Sequence, residues 1–276
     1  MAGVTMTDDS AVQIRRLETA NSLREPVLRA AIVSLGLTPG SRGLDIGCGI
    51  GLQALLLAEA IGTAGHVVGL DVSPALLADA RERIEASLYV NQITFSEGDM
   101  RHLPFDDGAF DWAWSADCVG YPAGNPLPAL REIARVVRPG GRLALLGWTT
   151  QQLLPGHALL EASLNATCSA YAPYLAANPP ETHFLRIHRW FGDAGISEPA
   201  CRTLVGEVRA PLTAEVSAAL TSLFEMLWGA AGAATPVDRR AYGRLCRPGS
   251  PDFILDLPEY YAFFTYTMIT GIVAKR

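Results

Sequence analysis

The densest chemistry in this sequence lies in nine residues, Gly43-Leu44-Asp45-Ile46-Gly47-Cys48-Gly49-Ile50-Gly51. Glycine lets a backbone turn sharply and lets a ligand come close to it. The helix start behind such a loop offers unpaired N–H groups and a positive partial charge. The spacing departs from the dinucleotide fingerprint G-x-G-x-x-G. Its third glycine, Gly51, comes one position early, and Leu52 stands where that fingerprint requires glycine. Two carboxylates follow. Asp71 closes Val68-Gly69-Leu70-Asp71, where a carboxylate can accept two hydrogen bonds from the vicinal hydroxyls of a ribose. Asp99 sits in Glu97-Gly98-Asp99-Met100, at a strand end that suits an exocyclic amine such as that of adenine. Alone, each feature reads equally well as a tight turn or a solvated acid; the three in register point to a nucleoside site.

Such residues need elements to hold them. Ala11 to Leu35 has apolar residues at helical spacing and contains Pro26, which predicts two short helices. Thr38-Pro39-Gly40 is a turn. Arg42 to Ile46 is a short apolar strand, and Leu52 to Ile61 is apolar nearly all round, the mark of a buried helix. His66 to Leu70 is a second strand. Ser73-Pro74 then opens a helix to about Leu88, with serine as N-cap and proline in the first turn. Ile93 to Glu97 and Phe110 to Ser115 are the third and fourth strands. Pro126 to Val137 is an amphipathic helix stopped by Arg138-Pro139-Gly140-Gly141, and Arg142 to Trp148 is the fifth strand. This alternation predicts an α/β doubly wound sheet with right-handed crossovers.

Beyond Trp148 the pattern changes. Gln151 to Pro180 is Ala-rich, Thr182 to Ala194 reads as a helix, Cys201 to Arg209 as a strand and Thr213 to Trp228 as a helix. Gly229 to Ala234 reads as a small-residue loop, and the later part of Tyr260 to Ala274 as a final strand. The expected organisation is N-terminal helices over 1–36, a nucleoside-binding core over 37–150, and a lid or substrate insertion over 151–276 that also carries the last two strands.

On these motifs, Leu37 to Leu146 resembles a class I S-adenosylmethionine (SAM)-dependent methyltransferase, of the branch that includes ubiquinone/menaquinone-biosynthesis and many small-molecule methyltransferases. Phe105-Asp106-Asp107-Gly108-Ala109-Phe110-Asp111 and Arg138-Pro139-Gly140-Gly141 match further family segments. The resemblance implies a Rossmann-like seven-stranded sheet with helical insertions after strands five and six. Its last strand would be antiparallel, which Tyr266 to Ala274 suits. It also implies that Asp45, Gly47, Gly49 and Gly51 form the loop beside the methionine part of SAM. Asp71 would hold the ribose, Val72 would pack on adenine, and Asp99 with the Met100 N–H would take the adenine edge. The Ser115 carbonyl would meet the methionine amine.

SAM is a sulfonium whose methyl group moves by in-line displacement, so a protein mainly has to align atoms and exclude water. A base is needed only where the acceptor still holds its proton. Asp117, Tyr121, His157, His183 and His188 are the candidate bases, each weighed against a structural or rim role. No Ser-His-Asp order or metal-ligand spacing occurs, and Cys48 reads as a small apolar filler. The aromatics Trp148, Tyr171, Tyr174, Phe184, Trp190, Phe191, Trp228, Tyr260 and Tyr261 suit either an apolar pocket or the core of the insertion. The leading reading is methyl transfer to O, N or C of a small, fairly apolar metabolite. Three others stay open. Cys118 with Cys168 resembles in part the thiols of arsenite methyltransferases. A non-catalytic SAM-binding regulator is the second, and a dinucleotide dehydrogenase, disfavoured by Leu52, the third.

Bulk properties narrow the partners. The chain has 276 residues, 49% hydrophobic and 18% charged, enough for one large core. A net charge of −6 with no basic stripe argues against nucleic acid. Five cysteines without a C-x-x-C pair argue against a disulfide framework. The polar start, Met1 to Asp9, lacks the apolar region of a secretory signal, and no apolar run reaches membrane-spanning length. A cytoplasmic setting is expected.

Overall fold

The short apolar runs that predict strands lie side by side in the computed structural model, which describes residues 8–168, 170–229 and 235–274. The long helix α1 (Asp8–Ser34) precedes β1 (Arg42–Ile46), α2 (Leu52–Ile61), β2 (His66–Asp71), α3 (Pro74–Glu85) and β3 (Ile93–Glu97). Then come β4 (Phe110–Ala116), α4 (Leu127–Val136) and β5 (Val137–Gln152). An insertion with α5 (Ala158–Ala166), α6 (Ala172–Ala177) and three 3₁₀ turns leads to β6 (Ile196–Arg209), α7 (Ala214–Trp228), α8 (Pro236–Leu245) and β7 (Tyr261–Val273). The sheet order is β3-β2-β1-β4-β5-β7-β6. Strands β1 to β5 run parallel, and β7 runs antiparallel to both of its neighbours. This is the Rossmann-like architecture of class I methyltransferases, with helical insertions after β5 and β6. The order reverses between β1 and β4, and open α/β sheets hold ligands at the carboxyl ends of such a pair.

Strand alternation divides the core between the two faces. Trp112, Trp114 and Ala116 of β4 join α1, α2 and α7 on one side, and Phe110 and Ala113 join α4 on the other. No described helix is long and apolar enough to cross a membrane.

Several elements differ from the sequence reading. Residues 8–34 form one helix with Pro26 inside it, not two helices. Proline removes one helical hydrogen bond, about 3 kcal/mol in an isolated helix. Here Leu23, Val27, Leu28, Ala31 and Ile32 are buried in one row, and that packing outweighs the loss. The helix expected over 182–194 is a pair of 3₁₀ segments, Phe184–Trp190 and Gly192–Ala194. His183 caps the first by accepting from the Leu185 N–H, and Phe184, Ile187 and Phe191 are buried. Strand β6 begins at Ile196, ahead of Pro199, because it is an edge strand with a register shift between Ser197 and Ala200 that accommodates the proline. Helix α8 was not anticipated. Thr235-Pro236 opens it as Ser73-Pro74 opens α3. Of the loop expected over 229–234, residues 230–234 lie outside the described residues.

Candidate functional site

Backbone hydrogen bonds shape the glycine loop. The Gly47 and Cys48 N–H groups both donate to the Leu70 carbonyl, at 2.8 and 3.0 Å. Asp71 ties the loop to the next helix: Oδ2 accepts from the Gly49 N–H at 2.9 Å and Oδ1 from the Ser73 N–H at 3.0 Å. Gly47 has φ 74°, and a Cβ there would lie 2.5 Å from Cys118 Sγ. Gly51, at φ 77°, would press a Cβ to 2.9 Å from the Phe95 ring. Glycine is therefore required at both positions. The loop floors a crevice of about 420 Å³ whose other walls include Val72, Asp117, Cys118 and, from α1, Leu17 and Arg24.

Asp45 lies beneath this loop with 1% exposure, and its Oδ2 has no hydrogen-bond partner. Burial, reinforced by the nearby Asp71 charge, pushes its carboxyl up to about 8. Val72, by contrast, is 63% exposed at the crevice wall.

A second cavity, about 300 Å³, adjoins the crevice. Its walls are largely apolar and aromatic, with Leu23, Tyr121, Trp148, Tyr171 and Leu223 among them. Gln13, Leu17, Arg24 and Asp117 line both spaces. At this junction Arg24 Nη2 donates to Asp117 Oδ2 at 2.5 Å and Arg24 Nε to the Tyr266 hydroxyl at 2.7 Å. The Tyr266 hydroxyl donates in turn to Asp117 Oδ2 at 3.0 Å, and the Trp148 N–H donates to Oδ1 at 2.8 Å. Asp117 holds φ 51°, a conformation Asp tolerates better than most residues.

The crevice brings together Gly47, Gly49, Asp71, Val72 and Asp117, with Asp45 and Gly51 supporting it. Asp99 and Met100 follow β3 outside the crevice lining, and Asp99 is gripped by Arg101 Nε and Nη2. Those Arg101 hydrogen bonds hold the Asp99 carboxyl down at about 2. Ser115 is buried, its hydroxyl accepting from the Val119 N–H. Tyr121 lines the apolar cavity and donates to the Trp148 carbonyl at 3.0 Å. His183 lines a third space of about 530 Å³ beyond Tyr121, and His157 and His188 lie outside all three linings.

Cys118 lines the crevice and buried Cys168 lines the third space, so this pair is not brought together. Burial, then Asp71, pushes the Cys118 thiol up to about 12, away from the thiolate that metalloid binding requires. Among the described residues no cluster of His, Cys, Asp and Glu suits a metal ion. Sequence reasoning missed Arg24 and Tyr266. Neither carries a local motif, and only the fold joins them to Asp117.

Residues 44–141 match the family described as a methyltransferase domain. The chain is 36% identical over 115 residues to a demethylmenaquinone methyltransferase of Bacillus cereus, covering 41% of this chain and 46% of that protein. It thus spans about half the length of the curated relatives it matches. A SAM-dependent methyltransferase structure from Aquifex aeolicus superposes with a TM-score of 0.54 at 17% identity, over 94% of this chain and 97% of that one. The [4+2]-cyclase SpnF superposes with a TM-score of 0.52 at 20% identity, over 90% of this chain and 81% of that one. At these identities the structural likenesses concern the fold, and the fold serves more than one chemistry.

Proposed function

We propose that this chain, residues 44–141 of which match a methyltransferase domain, transfers the methyl group of SAM to an O, N or C atom of a small, fairly apolar molecule. The observation that carries this reading is the shared wall: the crevice and the apolar cavity meet at Leu17, Arg24 and Asp117. A donor on one side and an acceptor on the other would meet there for in-line transfer.

Several residues at the crevice support this reading. The unpartnered Asp45 oxygen suits a ligand ammonium. Each Asp71 oxygen accepts one backbone N–H and keeps a lone pair for a ribose hydroxyl. Exposed Val72 offers an apolar plate to a base ring. Bound SAM would supply the activated methyl group. The chain's own part is to bind, orient and keep water away. The Asp117 carboxylate is committed to Arg24, Tyr266 and Trp148, and burial pushes the Tyr121 hydroxyl further above its ordinary range. Neither is set up to take a proton, so the acceptor arrives deprotonated or needs no base.

Calorimetric titration with SAM is the test. Asp71→Ala should weaken binding at least about tenfold, roughly 1.4 kcal/mol. A panel of apolar metabolites with radiolabelled SAM should then yield methylated product. Unchanged SAM affinity in Asp71→Ala, or SAM binding without turnover across the panel, would overturn the reading.

A further inference from the structure

We propose that the acceptor is an apolar carboxylic acid whose carboxylate seats on Arg24 at the junction of the two cavities, an assignment that rests on the methyl-transfer reading above. Charge at the apolar cavity runs against that of the whole protein. The chain carries 22 Lys and Arg against 28 Asp and Glu, yet the charged residues of this cavity are Arg16, Arg24 and Asp117, two cations to one anion. The rest of the wall is dominated by Leu, Ala and aromatic side chains. A half-buried guanidinium in such surroundings attracts an anion far more strongly than one in water.

Geometry selects Arg24 over Asp117 as the anchor. Asp117 already accepts from three donors, whereas Arg24 spends two of its five N–H groups among the described residues. Asp117 and Tyr266 hold the Nε and Nη2 side of the guanidinium, so a ligand carboxylate would take Nη1. Arg16 lies two turns earlier on α1, lines the same cavity and is exposed. It adds a second positive charge along the path from solvent. A carboxylate also meets the demand set by Asp117 and Tyr121: its ionised oxygen would attack the SAM methyl carbon as the carbon–sulfur bond breaks, giving a methyl ester and neutral S-adenosylhomocysteine with no proton to remove.

The test uses the full chain saturated with S-adenosylhomocysteine and a matched pair of probes, biphenyl-4-carboxylate and biphenyl-4-carboxamide, in calorimetric titrations. The carboxylate should bind at least about tenfold tighter than the amide, the usual scale of a charge-assisted contact. Arg24→Gln should erase that preference, read as the ratio of carboxylate to amide affinity. Arg16→Gln, an exposed change that keeps the junction intact, should reduce the preference about threefold and lessen its salt dependence. That second variant keeps the proposal open to refutation should Arg24→Gln fail to fold. Equal affinity for the two probes, or no carboxylate binding up to millimolar concentration, overturns the proposal. So does a preference that survives in Arg24→Gln. Failure of the wild-type chain to bind S-adenosylhomocysteine strikes the methyl-transfer reading itself. Cofactor binding without acid preference strikes only the acceptor assignment.

Discussion

The crevice and the apolar cavity share a wall but are built from different material. The crevice is made mostly of backbone: three glycines at positive φ, the Leu70 carbonyl that holds Gly47 and Cys48, and an acid that ties Gly49 to Ser73. All of this lies within one continuous stretch of chain, Gly47 to Ser73. The cavity is made of side chains from α1, the loop after β4, β5, the insertion, α7 and β7. Its polar junction joins residues 93, 149 and 242 positions apart. A backbone-built site tolerates almost no change in residue type, because the constraint is conformational. A side-chain site can change its occupant while the scaffold stands.

Gly47→Val should give the largest effect and tests the backbone half directly. The substitution forces a β-branched residue into φ 74° and drives its Cβ against Cys118 Sγ. Backbone strain of about 1–3 kcal/mol, with the clash added, should cut SAM affinity more than a hundredfold. Calorimetry on soluble variant protein reads the outcome, and near-normal affinity would mean that the loop's conformation does not make the site. Glu161→Ala should come next and probes the insertion that walls part of the other half. Glu161 is 3% exposed and accepts the Leu153 and Leu154 N–H groups that close β5. Leaving both donors unpaired should cost about 2–4 kcal/mol in chemical denaturation. SAM affinity should stay within about twofold, because the crevice takes nothing from this contact. A matching loss of SAM binding would show the two regions to be one cooperative site.

The pH response sharpens the same contrast. Asp45 titrates near 8 in the folded chain against about 4 when unfolded. The folded state therefore binds the extra proton between these values. Stability of the cofactor-free protein from this group is fully present below about 4 and is lost as pH rises through about 8. A ligand ammonium favours the ionised carboxylate, so SAM binding should release a proton and tighten about tenfold between pH 6 and 8. Asp45→Asn should flatten that slope. Calorimetry in two buffers of different ionisation enthalpy counts the proton, and a release of zero would remove Asp45 from the cofactor's environment.

What the sequence made readable follows the same division. Strands 42–46 and 93–97 and helix 52–61 coincide with their apolar runs, because local pattern and burial agree there. The glycine loop and Asp71 were visible for the same reason: their constraint is local. Arg24 was invisible because nothing near it in sequence distinguishes it from any helical arginine. The single helix through Pro26 was missed since tertiary packing, not propensity, decides it. Helix α8 has a Thr-Pro start of the kind that opens α3, directly after a small-residue stretch that reads as loop.

Strand β5 supplies the smallest and most local test. Polar Thr149-Thr150-Gln151-Gln152 argued for ending it at Trp148, yet the ladder to β7 continues to Gln152 opposite Phe263. The register shifts between Trp148 and Thr150, and the Thr149 hydroxyl turns to those of Thr265 and Thr267 at 2.9 and 3.0 Å. Thr203 of β6 extends the row by contacting Thr267 at 3.1 Å. Half-buried hydroxyls that satisfy one another let a polar run behave as a strand. Thr149→Val keeps the shape and β propensity but strands its neighbours without a partner, so it should cost about 1 kcal/mol. The double variant Thr149→Val with Thr265→Val should cost less than the sum of the two single changes, because both remove the same bond. Strict additivity in denaturation would mean that the row contributes nothing as a unit, and that backbone pairing alone carries β5 past Trp148.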